Sequence, residues 1–257
     1  MEDILMIAGV SLIVGFAGFV DAIAGGGGII SLPAYFLTGM PAHLCYGTNK
    51  FSAACGTTFA VGTYFKHGAI NLKVALMAAV GSFIGSNIGA HIVLALDDKV
   101  LKLMLVVALP IIAVIIFVKK IGGEEDMSHL FSPAKLLLCG LLVGFLVGGY
   151  DGIFGPGTGT IAAIAFTAVM HFDLKTATGN AKVLNLASNF GSLVPFLMAG
   201  TVNFKMAIPA ACCNIIGAIL GSQMAVRKGS GFIRPVMIVV IVLLIGKVAL
   251  DLVQEIL

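Results

Sequence analysis

Apolar residues run along this chain in long uninterrupted blocks, with polar residues gathered into short breaks between them. The blocks fall at about 4–24, 28–40, 51–65, 74–96 and 101–118, and again at about 136–154, 157–170, 183–199, 206–226 and 235–253. Several reach the roughly 20 apolar residues that a helix needs to cross a bilayer. A transmembrane β-barrel would instead show alternating strands of about ten residues. The pattern predicts an all-α polytopic membrane protein. Residues 119–135, KKIGGEEDMSHLFSPAK, form a polar linker that reads as a solvated loop. It divides the chain into a first transmembrane repeat, 1–118, and a second, 136–257. Composition agrees: 11% of residues are charged, less than half the roughly 25% of a soluble domain. The first block follows Glu2 and Asp3, not a basic stretch, and reads as a retained span instead of a cleaved leader.

The two sets of five segments are copies. Val14-Gly15-Phe16 recurs as Val143-Gly144-Phe145, and Asp21, Gly25 and Gly27 recur as Asp151, Gly155 and Gly157. Gly47 and Lys50 match Gly179 and Lys182; Gly68, Asn71 and Lys73 match Gly200, Asn203 and Lys205. The second segment of each copy is too short to span. At about 1.5 Å per residue it covers roughly 20 Å of a ~30 Å core. It is either a re-entrant half-helix or one limb of a broken span.

Charge arbitrates. If the short segments do not cross, the cations outside the spans divide evenly between the two sides. If each short segment completes a crossing with its neighbours, Lys66, Lys73, Lys119, Lys120, Lys135, Lys175, Arg227, Lys228 and Arg234 share one side, and Lys99, Lys102 and Lys205 the other. Only the second division follows the positive-inside rule. It gives five segments in each half, both termini outside, and repeats of inverted topology, a common transporter plan. Lys247, near the end of the last segment, reads as a snorkelling lysine.

The short segments carry the chemistry. The first is preceded by DAIAGGGG (21–28) and its twin by DGIFGPGTG (151–159). Gly25, Gly26, Gly27 and Gly28, like Gly155, Gly157 and Gly159, favour unwound backbone, which inside a bilayer must be buried in protein or line a wet cavity. Helices that restart near Gly28 and Gly157 would turn electropositive N-termini toward an anion. Next come HLCYGTNKFS (43–52) and KTATGNAKVLN (175–185), each placing a lysine beside Thr and Asn at the start of the third segment. A lysine in mid-bilayer costs about 3 kcal/mol or more, so Lys50 and Lys182 are the expected countercharges. Thr48, Asn49, Asn180 and Asn185 are expected hydrogen-bond donors to a bound oxyanion. The matched acids Asp21 and Asp151 could pair with the lysines, cap the restarting half-helices or carry a coupling proton; pairing or capping is preferred.

Other features read as packing. Gly81, Gly85 and Gly89 form a small-residue stripe for close helix contact, and Asn87 and His91 suit hydrogen bonding between helices. Cys45, Cys55, Cys139, Cys212 and Cys213 form no CxxC and have no His cluster, so neither metal nor cofactor is implied. Gly155-x-Gly157-x-Gly159 lacks the spacing and βαβ context of a nucleotide loop, and no HExxH or nucleophile motif points to an enzyme.

The blocks GFVDAIAGGGGIISLPAYFLTGMPAHLCYGTNKFSAACGT (15–57), GPGTGTIAAIAFTAV (155–169) and ATGNAKVLNLASN (177–189) resemble the sulfite exporter TauE/SafE family, also called the toluene-sulfonate uptake permeases. Within it the likeness is to the bacterial probable membrane transporters of the YfcA type. The resemblance implies secondary transport of a small sulfur-containing oxyanion, such as sulfite or an organosulfonate, across the cytoplasmic membrane of a prokaryote. It implies about eight spans, against the ten segments counted above. The expected partners are the anion and the bilayer, with no nucleic acid; a homo-oligomer is left open. The competing reading is a cation or proton carrier, or a channel, that uses Asp21 and Asp151.

Overall fold

A computed structural model describes residues 2–101, 103–104 and 125–239 of the chain. The helices are α1 (Glu2–Ala24), α2 (Gly28–Phe36), α3 (Ala42–Lys66), α4 (Leu72–Ala95), α5 (Pro133–Ile153), α6 (Thr158–Met170), α7 (Leu174–Met198), α8 (Phe204–Lys228) and α9 (Ser230–Val239). Among the described residues there is no strand. The fifth segment expected in each half, 101–118 and 235–253, falls largely outside the described residues, as do Lys102, Lys119, Lys120 and Lys247.

Among the described residues, four helices are long and apolar enough to cross a membrane: Ile4–Ala24 of α1, and α4, α5 and α8. They carry outward-facing apolar residues such as Phe16, Leu76, Leu146 and Ile216, as a lipid-facing shell requires. The helices α3 and α7 have 25 residues each, about 37 Å at the α-helical rise. They are the polar helices, and they lie inside: α3 packs on α8 and α7, and α7 packs on α4, α3 and α6.

The third segments begin earlier than their hydropathy predicts, at Ala42 and Leu174 instead of 51 and 183. Hydropathy stops at the Thr, Asn and Lys residues, yet the helix runs through them because neighbouring helices bury those side chains. The actual start signals are Pro41, and Asp173, whose carboxylate accepts from Thr176 N at 3.0 Å. Lys50 and Lys182 therefore stand two turns inside their helices, not at their starts. The second segment of the first half is shorter than expected: α2 has nine residues and ends before the turn at Gly39, whereas α6 runs as expected to Met170. The linker residues 125–132 are largely exposed but not free, since Met127 N donates to His171 O at 2.9 Å and Phe131 stacks on the His171 ring.

Helices of opposite halves interlock. On α1 and α8, Gly15 lies against Cys213 and Phe19 against Gly221; on α4 and α5, Gly81 lies against Leu141 and Gly89 against Gly149. Residue numbers rise together in both pairs, so each pair is parallel. The same holds for α3 with α8 (Phe51 on Phe204, Gly56 on Asn214) and for α4 with α7 (Ser82 to Leu184 O, Asn87 to Gly191 O). In contrast, α3 and α7 are antiparallel, since Gly47 meets Phe196 while Ala69 meets Gly179. Helices α1, α3 and α8 thus run one way and α4, α5 and α7 the other. The segment 25–41 must return the chain from the end of α1 to the start of α3. One end of the bundle gathers Lys66, Lys73, Lys135, Lys175, Arg227 and Lys228, and the other holds Lys99 and Lys205. The glycine stripe of α4 admits the backbone of α5, and Asn87 bonds α4 to α7, as small-residue packing and interhelical polar bonds require.

Candidate functional site

Both unwound segments meet in the protein interior. Gly25, Gly155 and Gly157 adopt φ of +79°, +88° and +79°, values that exclude most side chains. Gly25 O accepts from Gly159 N at 3.2 Å, and Ala24 O from Thr160 Oγ1 at 2.7 Å. A Cβ on either Gly25 or Gly159 would collide with the other's backbone. The polar backbone freed by unwinding is thus partly satisfied by the opposite half. One consequence differs from expectation: the Gly159 N–H at the start of α6 is already occupied by Gly25.

The lysines reach across the halves. Lys50 Nζ lies 2.6 Å from Asp151 Oδ2 and donates to Asp151 O at 2.9 Å. Lys182 Nζ lies 3.0 Å from Asp21 Oδ2 and also donates to Asp21 O. The carbonyl contacts fall at the last turns of α5 and α1, where free carbonyls make a helix end electronegative. Each acid also accepts a bond from the chain just ahead of it. Asp21 Oδ1 accepts from Gly27 N at 3.2 Å, and Asp151 Oδ1 from Thr158 Oγ1 at 2.6 Å. The Asp21 side chain reaches six residues ahead because the chain turns back at Gly25.

Beside these pairs lies a small polar cavity of about 30 Å³. That is room for two or three water-sized groups, since one water needs about 10–15 Å³ on this measure. Its walls include Asp21, Gly25, Gly27, Gly28, Asn49, Lys50, Asp151, Gly155 and Asn185 from the sequence expectation. Lys182 stands behind Asp21. Gly26, Gly157 and Gly159 shape the backbone around the cavity without lining it. Thr48 and Asn180 serve elsewhere: Thr48 Oγ1 accepts from Asn203 N at 3.0 Å and Asn180 Oδ1 from Asn71 N at 2.8 Å, each at the N-cap residue of α8 or α4.

Sequence reasoning missed several walls: Ser31, Thr57, Thr158, Asn189 and Asn214. Asn189 is 3% exposed and its Nδ2 has no hydrogen-bond partner. It lies one turn beyond Asn185 on α7, and that i, i+4 spacing was the available signal. Ser188, which donates to Asp151 Oδ2 at 2.5 Å, was equally legible as the residue between them.

A bundle of membrane-spanning helices that buries two ion pairs and a polar cavity between unwound backbone segments is the build of a multi-pass membrane transporter. The chain belongs to the sulfite exporter TauE/SafE family, whose profile matches residues 10–248. It is 38% identical over 240 residues to a probable membrane transporter protein of Haemophilus influenzae, covering 93% of this chain and 92% of that one. It is 36% identical to the probable membrane transporter protein ORF9 of Sinorhizobium (91% and 89% covered) and 32% identical to the probable membrane transporter protein YfcA of Escherichia coli K12 (91% and 86% covered). No solved structure gives a significant match.

Proposed function

We propose that this chain is a secondary transporter for a small sulfur-containing oxyanion, sulfite or an organosulfonate, held in the cavity between the two ion pairs. The observation that carries this reading is the cavity wall. It joins Lys50, the amides of Asn49, Asn185, Asn189 and Asn214, the hydroxyl of Thr57, and the start of α2 at Gly28. Amides, hydroxyls and helix starts are the donors that oxyanions need. Both carboxylates already face lysines, which favours an anion over a cation as the cargo.

The opposed directions of corresponding helices support alternating access by an inverted repeat. With the Lys- and Arg-rich end of the bundle in the cytoplasm, α1 starts outside, in a prokaryotic cytoplasmic membrane. The test is counterflow of radiolabelled sulfite into liposomes containing the purified protein. Saturable exchange, competed by sulfonates and not by chloride, is the expected result. Sealed vesicles with folded protein and no exchange of sulfite or sulfonates would overturn it and turn attention to cation transport through Asp21 and Asp151.

A further inference from the structure

The two ion pairs match in sequence but not in surroundings. The Asp151 side chain is 3% exposed, and beyond Lys50 it receives Ser188 Oγ on one oxygen and Thr158 Oγ1 on the other. The positions matching Ser188 and Thr158 in the first half are Gly56 and Gly28, which have no hydroxyl. The Asp21 side chain is 20% exposed and, among the described residues, has beyond Lys182 only the long bond from Gly27 N. Lys182 is fully buried behind Asp21, away from the cavity, whereas Asp21 lines it.

Charge balance gives this difference a meaning. Two lysines and two aspartates sum to zero. A monovalent anion entering the cavity leaves an uncompensated negative charge inside a low-dielectric region, which is expensive unless a cation accompanies it. We propose that this cation is a proton and that Asp21 carries it, resting on the reading of the cavity as an anion site. The anion takes the place of the Asp21 carboxylate on Lys182, and Asp21 accepts one proton on an oxygen released from Lys182. The Lys50–Asp151 pair stays closed. Cargo and proton then move together with no net charge.

The groups facing Asp21 are consistent with this role. Lys182 comes from α7; Lys50 and Asp151, already joined, come from α3 and α5 across the cavity. Tyr64 of α3 lies within electrostatic reach, while α2 and α8 contribute the uncharged Gly27 N–H and Asn214, and no ionisable side chain of α6 lines the cavity.

The test compares wild type, Asp21→Asn and Asp151→Asn in liposomes. One readout is sulfite exchange at equal pH, and the other is sulfite accumulation under an inward proton gradient. Wild type should do both. Asp21→Asn should exchange more slowly and lose all stimulation by the gradient; Asp151→Asn should lose both activities. An Asp21→Asn protein that still accumulates sulfite with the gradient would overturn the inference. So would loss of exchange in both Asp21→Asn and Asp21→Ser proteins that elute as folded monodisperse species. Absence of exchange in wild type would instead remove the anion reading beneath it.

Discussion

The Lys50–Asp151 and Lys182–Asp21 pairs occupy matching positions of the two halves but sit in different shells. Around Asp151 every carboxylate oxygen is held by a side-chain donor, whereas around Asp21 two glycines stand where the hydroxyls would be. Each half carries charges of both signs, and the neighbours decide which pair is fixed and which faces the cavity. A buried ion pair gives little net stability, but removing one partner leaves an uncompensated charge. Substitutions at the two pairs should therefore diverge.

The largest effect is expected at the fixed pair. Lys50→Ala leaves Asp151 charged and enclosed and should cost about 3–5 kcal/mol, seen as a large drop in the thermal unfolding temperature of the detergent-solubilised protein. Lys182→Ala should cost less, because Asp21 can be solvated from the cavity. Equal losses would erase the distinction between the pairs. Next comes the glycine contact. Gly25→Ala places a methyl on the Gly159 backbone at positive φ and should cost on the order of 1–3 kcal/mol while abolishing transport. Gly62→Ala, in α3 with open space around its Cβ position, should be neutral or stabilise by up to about 1 kcal/mol.

A smaller effect separates the two walls of the cavity. Asn189→Ala should raise KM about tenfold, or about 1.4 kcal/mol, with the unfolding temperature unchanged, because the amide it removes has no protein partner. Thr57→Ala, at the matching position of α3, should raise KM less. The smallest effects test the symmetry that remains: Asn71→Ala and Asn203→Ala each remove a helix N-cap, about 1 kcal/mol, and should destabilise by similar amounts.

Much of this architecture was legible because matching motifs stand in both halves of the sequence. The matched Asp, Gly and Lys positions picked out residues that the structure gathers around one polar cavity, and the glycine block marked the unwound backbone. What stayed hidden was which half each group serves. Thr48 and Asn180 look like ligands beside Lys50 and Lys182, yet they accept from the N-cap residues Asn203 and Asn71 of the opposite half. The register of helix against helix decides that, and one chain's hydropathy does not encode it. Asn189 was missed for the reverse reason. Its i, i+4 spacing from Asn185 puts it on the same helix face, but only the structure shows its unpartnered Nδ2 beside a cavity. The start of α3 was misplaced because hydropathy treats buried polar residues as the end of a span.

The central claim is that a small oxyanion occupies the cavity between the pairs. Equilibrium dialysis of radiolabelled sulfite against the purified protein tests it most directly, with the Asn185→Ala/Asn189→Ala double variant beside wild type. Saturable binding of one sulfite per chain, displaced by organosulfonates and lost in the folded double variant, is the predicted result. Binding of the same strength in the double variant would place the anion elsewhere and contradict the account.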